Sequence, residues 1–425
     1  MQAKIKEIKN KLSVFLSFNR QYFQWKKIHP SKIDIKNDNL LIVPCDPWAI
    51  GGSRGDEAML IAIIQWYRKK YPKSHIFIIS ASKEGCDYIN NLPYSEITAL
   101  YEWCGTNPID RIYKTAINID INSVILLGAD CMDGFYSPFV SLTLIALHEL
   151  FSLTGNIKSR LMGFSFNNSP YRPICKAFDS LSSDVCINLR DPISLQRFKK
   201  QIRINAGLVA DVAFLLTPDY DFDGYKRLQE WTTLRHQAQG QYVIGFNFHP
   251  MLRKYGDVNG IRKDALAMAE ILAEILRRNK NIHFVIIPHD NRNKLTDNIM
   301  LGTISNELSR MGLSERFYYD PLVYRASQIK ALCGLIDGLV SSRMHLAIAA
   351  LGQGKSVMAT TYQGKFEGLF RHFDLPEDYL LSPDKFISPH LIECFFSYIN
   401  HLPQLTLQVK NKLNHVIELS NKNFA

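Results

Sequence analysis

Residues 334–365, GLIDGLVSSRMHLAIAALGQGKSVMATTYQGK, decide how this chain is read. The apolar run 334–340 predicts a buried strand. Ser341, Ser342, Arg343 and His345 follow, then an apolar helix, then a second strand ending near Tyr362 and Lys365. Two strands joined through a helix are a parallel αβ unit. The order also puts a guanidinium and an imidazole at a helix start. Unpaired N–H groups and the positive end of the helix dipole already favour anions there. A lysine returns from the next strand end. Such a site suits a small, multiply charged anion and could supply or remove a proton.

The same alternation extends on both sides. LLIVPC (40–45), HIFIIS (75–80), SVILLG (123–128) and DVCINL (184–189) read as strands, with a helix from about 56 to 70, and 211–216 closes a first half. The pattern restarts at YVIGFNF (242–248), continues through a helix near 261–279 and HFVIIPH (283–289), and reaches 334–365. This predicts an α/β protein: an N-terminal arm (1–36), a first αβ domain (37–216), a polar connection (217–241), a second αβ domain (242–387) and C-terminal helices (388–425). A cleft is expected between the two domains, and in open α/β sheets ligands sit beyond the carboxyl ends of strands.

Composition narrows the class. Hydrophobic content of 46% and charged content of 21% suit a globular chain. The eight cysteines are scattered with no C-x-x-C pair, which fits buried thiols in a reducing cytoplasm and argues against a disulfide scaffold or zinc site. Residues 1–36 hold nine Lys and Arg against two Asp and Glu, so +7 of the net +10 lies in the arm. A nucleic-acid-coating protein is disfavoured by that confinement. The arm's apolar residues (Ile5, Ile8, Leu12, Phe15, Leu16, Tyr22, Phe23) recur at helical spacing. Two readings stand: an amphipathic helix on the anionic inner face of the plasma membrane, making the protein peripheral there, or a helix docked on the body with a solvated basic face.

Other loaded positions follow strand ends. In Gly51-Gly52-Ser53-Arg54-Gly55-Asp56-Glu57-Ala58, glycines let backbone amides approach a ligand. The segment matches no nucleotide fingerprint, and a plain tight turn is an equal reading. Asp130 and Asp133 could orient sugar hydroxyls, act as a base or cap a turn. Arg190 could fork onto a carboxylate or phosphate, or pair with Asp191 to cap the next helix. His249 and His289 each end a second-half strand as ligand candidates or structural imidazoles. No metal-ligand spacing is present.

With these residues in place, the chain resembles the polysaccharide pyruvyl transferase family. The family's S-x-R-x-H unit opening a helix, followed by Y-x-x-K, is matched by Ser341, Arg343, His345, Tyr362 and Lys365. Its N-x-G-D-x-A element is matched by 53–58, with Ser53 in place of Asn. Arg190, Asp191 and Ser194 match R-D-x-x-S, and Asp211, Ala213 and Phe214 match D-x-A-F. The family's G-G-G loop is here Gly128-Ala129-Asp130.

The resemblance implies a GT-B-like fold of two Rossmann-like domains, phosphoenolpyruvate as donor and a sugar acceptor on a cell-surface polysaccharide or its lipid-linked precursor. It also implies a pyruvate ketal product, with no cofactor. On that reading Arg343, Lys365, Arg190 and Ser342 bind the donor, and His345 is the acid/base. Arg54, Asp56, Asp130, Asp133, His249 and His289 are acceptor-side candidates. A nucleotide-sugar glycosyltransferase and a non-catalytic polysaccharide-assembly protein are the alternatives.

Overall fold

The computed structural model describes residues 2–30, 37–105, 107–252, 258–290, 296–361 and 364–425, without the side chains of 2–11 and 251. Tyr362 and the arm's early apolar and basic side chains lie outside the described residues. The chain forms two compact units. Unit one is Met1–Gly51, Trp66–Asp211 and Asn421–Ala425; unit two is Gly52–Gln65 and Val212–Ser420.

Unit one begins with α1 (Gln2–Trp25), β1 (Asn39–Val43), the last turn of α2 (Arg54–Lys70), β2 (Ile76–Ser80), α3 (Lys83–Asn90) and β3 (Ile97–Tyr101). It continues through α4 (Pro108–Asn118), β4 (Ile121–Leu126), α5 (Pro138–Leu153), β5 (Lys158–Leu161), α6 (Arg172–Asp179), β6 (Ile187–Leu189), α7 (Pro192–Gln201) and β7 (Ala206–Leu208). Five strands form a parallel sheet in the order β3-β2-β1-β4-β5, and β6 and β7 pair separately. Leu40, Leu41, Ile42 and Val43 are wholly buried, as expected of a strand covered on both faces. In α5 every residue from Val140 to Phe151 is buried, so it forms the middle of this unit's core. Ser137 caps it, and Pro138 occupies the first turn, where no N–H is needed.

Unit two holds α8 (Asp223–His236), β8 (Tyr242–Asn247), α9 (Val258–Arg278), β9 (Ile282–Ile286), α10 (Asp297–Arg310), β10 (Phe317–Tyr319) and α11 (Ala326–Cys333). It goes on with β11 (Gly338–Ser341), α12 (Met344–Leu351), β12 (Ser356–Thr360), α13 (Lys365–His372), β13 (Leu380–Leu381), α14 (Pro383–Phe386) and α15 (His390–Asn421). Its parallel sheet runs β10-β9-β8-β11-β12-β13. The order reverses between β8 and β11, the switch point where α/β sheets bind ligands.

Of the two readings of the arm, the helix docked on the body fits its described side chains: α1 is part of unit one, Phe18 and Trp25 are 1% exposed, Gln21 donates to Thr143 on α5 at 2.8 Å, and Lys26 reaches Glu149 at 2.9 Å. The structure redefines other segments. Within 217–241, read as a connection, Asp223–His236 form α8, grouped with unit two. It buries only Gly224, Leu228 and Thr232, so a surface helix carried a linker's polarity. Residues 211–216, expected to close the first half, include a 3-10 turn, Val212–Leu215, that is grouped with unit two. The tail 421–425 returns to unit one. Of the cysteines, Cys45 and Cys333 are buried and Cys186 is exposed.

Candidate active site

The strand ends of unit two are fastened together at the switch point. Ser342, just past β11, lies against β8: its backbone N–H donates to the Asn247 carbonyl at 3.3 Å, and its Oγ accepts from the His249 N–H at 2.8 Å. The Ser342 hydroxyl lies 3.2 Å from Asn247 Oδ1. Asn247 Nδ2 in turn donates to the Ile287 carbonyl at 2.9 Å and to Asp297 at 3.1 Å. Ser342 and His249 thus serve the join between β8, β9 and β11, and both are buried.

Arg343 is held in the same frame. Nη1 lies 3.0 Å from Asp290 Oδ2, and Nε donates to Asp297 Oδ1 at 3.2 Å. Asp297 is 0% exposed and also accepts the His289 N–H at 3.1 Å. Two carboxylates absent from the sequence reading therefore offset the arginine's charge and fix its plane. Neither falls in the S-x-R-x-H or Y-x-x-K signature. Asp290 adjoins a strand-end histidine, and Asp297 opens α10, which are the signals sequence could have used.

His289 is buried among charged neighbours. Burial holds its imidazole well below the ordinary range; Arg343, His345 and Arg54 push the same way, and Asp290 opposes them. It is neutral at neutral pH. His345 is half-buried at the start of α12, and Lys365 is the first residue of α13 and buried. Thr360, at the end of β12, is fully buried, and its hydroxyl has no hydrogen-bond partner among the described residues.

The Gly-rich segment belongs here too. Ser53 forms an antiparallel bridge with Asp290, and a side chain at Gly55 would start 2.3 Å from His345 Nδ1. Glu57, 2% exposed, accepts the Arg54 guanidinium on one oxygen and the Ala326 N–H on the other at 3.1 Å. Glu57 thereby fixes Arg54 and anchors α2 to the start of α11. Arg54 and Asp56 were expected on the first half's wall. The structure groups them in unit two with Arg343, His345, His289 and Lys365.

The remaining candidates lie in unit one. Arg190 is buried and donates to Asp211 at 2.8 Å and to Ser165 at 2.8 Å, while Asp191 caps α7 through Ser194. The R-D-x-x-S and D-x-A-F elements are thus two sides of one internal ion pair. Asp133 is buried and accepts the N–H groups of Phe135 and Asn167 at 2.9 and 3.3 Å, which closes its turn. Asp130 is half-buried beside Cys131.

A family model described as polysaccharide pyruvyl transferase matches residues 54–364. No curated protein matches the sequence. Among solved structures, the chain is similar to a glycosyltransferase from Rickettsia africae, at 12% identity and a TM-score of 0.54, with 92% of this chain and 99% of that one covered. It is also similar to a UDP-N-acetylglucosamine 2-epimerase (10%, TM-score 0.54, 92% and 95%) and to a ugt transferase from Siraitia grosvenorii in complex with UDP (10%, TM-score 0.52, 89% and 95%). At these identities the likeness is one of fold: two Rossmann-like units of the GT-B type.

Proposed function

Because this chain belongs to the polysaccharide pyruvyl transferase family, we propose that it moves a pyruvyl group from phosphoenolpyruvate to a sugar, closing a pyruvate ketal. The acceptor is a cell-surface polysaccharide or its lipid-linked precursor. The observation that carries this reading is the grouping of Arg54, His289, Arg343 and His345 in unit two, beside the starts of α2 and α12, with Lys365 opening α13 after the neighbouring strand β12. Phosphoenolpyruvate bears a phosphate and a carboxylate, so it needs several donors in a confined space. Arg54 and Lys365 take the anionic groups. Arg343, held by Asp290 and Asp297, presents its guanidinium charge from a fixed plane, and the Thr360 hydroxyl gains a partner.

The reaction begins with a proton placed on the methylene carbon, leaving a cationic centre at the phosphate-bearing carbon. One sugar hydroxyl adds to that centre and loses its proton. The carbon–oxygen bond to phosphate breaks, and the second hydroxyl closes the ring. Two hydroxyl protons leave; in balance, one equals that gained by the new methyl group and the other that gained by the departing phosphate. His345 gives the proton to the methylene carbon and recovers one from a sugar hydroxyl, and general acid–base catalysis of this kind contributes roughly 10²- to 10⁴-fold. In the absence of ligand the carboxylates of Asp290 and Asp297 keep this buried arginine tolerable.

The test is an assay with phosphoenolpyruvate and a lipid-linked sugar. The parent protein releases phosphate and adds one pyruvyl group by mass; His345→Ala keeps its melting profile and loses both. Near-parental turnover in His345→Ala rejects the acid/base role. Thermal stabilisation by UDP-sugars and not by phosphoenolpyruvate rejects the donor.

A further inference from the structure

We propose that the outward face of α1 docks on an anionic lipid surface. The helix has two apolar faces. Phe18, Gln21 and Trp25 are buried in unit one, on the side packed against α5. Leu12, Leu16 and Phe23 lie on the opposite side by helical spacing, Phe15 flanks them, and the four are 45–61% exposed. A helix stabilised by packing needs one apolar face, and the second is left exposed, with Phe23 edge-on to its helix neighbour Tyr22.

Charge selects the occupant. Residues 1–36 carry +7 of the chain's +10. Exposed Arg20 and Lys27 stand four residues beyond Leu16 and Phe23, bordering the outward stripe. In the sequence the stripe's period continues back through Ile8 and Ile5, among Lys4, Lys6, Lys9 and Lys11. A second copy would bring the same positive charge against itself, whereas anionic headgroups neutralise it while acyl chains take the aromatic and aliphatic side chains. No described helix is long and apolar enough to cross a membrane, so the contact lies in the interface plane. The inference stands apart from the reaction at unit two.

Flotation of the full chain with vesicles tests it. Phosphatidylcholine vesicles are compared with ones containing about one third phosphatidylglycerol, at about 0.1 and 0.5 M salt. The parent protein floats with the anionic vesicles, at least about tenfold less with the neutral ones, and less at high salt. Phe15→Ser/Leu16→Ser/Phe23→Ser loses at least about tenfold in binding with an unchanged melting profile, and Arg20→Glu/Lys27→Glu weakens only the binding to anionic vesicles. No flotation of the parent with anionic vesicles overturns the proposal, as does equal flotation of the triple variant. A concentration-dependent dimer that the triple variant dissolves assigns the face to a second copy and also overturns it.

Discussion

Gly55 has no side chain because the His345 imidazole occupies the place one would take. Alanine there gains helix propensity of about 1 kcal/mol, yet its Cβ must push the imidazole aside. Gly55→Ala is expected to melt within a few degrees of the parent and to lose about 100-fold in phosphate release, the scale of a misplaced general acid. Ala129 illustrates the opposite case. Its φ is +45°, a left-handed backbone held by an L-residue where the family's loop has glycine. Ala129→Gly should relieve about 1 kcal/mol of strain and raise the melting temperature, read by calorimetry. The departure from the family's G-G-G loop thus carries a stability cost in the backbone dihedral. That Arg343 and His345 follow β11 and Lys365 follows β12 was legible from the strand–helix–strand pattern. The carboxylate partners of Arg343 were not, since Asp290 and Asp297 reach it from other elements and only the fold brings them near.

At the scale of elements, α5 carries a measurable burden. His148 is buried on it, with Nε2 at 2.8 Å from the Cys186 carbonyl and Nδ1 at 2.8 Å from Ser159 Oγ. The carbonyl must accept, so Nε2 bears the proton and Nδ1 receives the Ser159 hydroxyl. Burial lowers this imidazole to about 4 from 6.5. The unfolded chain then binds the proton that the folded one refuses, so stability falls as pH drops from about 6.5 towards 4. The loss is on the order of 3 kcal/mol for this group alone. His148→Gln should flatten that part of the melting-temperature profile; an unchanged slope would rule out His148 as its source. Long apolar strands such as β1, β4, β8 and β9 were legible from runs of Leu, Ile, Val and Phe. The three-residue β7 and β10 were not, being too short to show a period, and α8 was hidden by its solvated surface.

For the whole molecule, no sequence pattern marks the chain's last residues as rejoining unit one. Asn423 is 1% exposed, accepts the Gly163 N–H at 2.7 Å and donates to the Ala210 carbonyl at 2.8 Å; Phe424 stacks on Trp66 at 3.9 Å between ring centroids. Asn423→Ala strands two buried backbone groups and should cost about 2–3 kcal/mol, read from denaturant melts. The two αβ halves were legible from the restart of alternation near 242. Their true membership was not, because residues 52–65 fold into unit two although the chain reaches them from unit one's first strand. That crossing brings Arg54 and Gly55 into the candidate site. A crystal structure with phosphoenolpyruvate bound tests the donor assignment most directly. The phosphate and carboxylate are expected on Arg54, Lys365 and Arg343, with the methylene carbon facing His345. Binding in unit one, or at unit two with the methylene carbon turned away from His345, would contradict it.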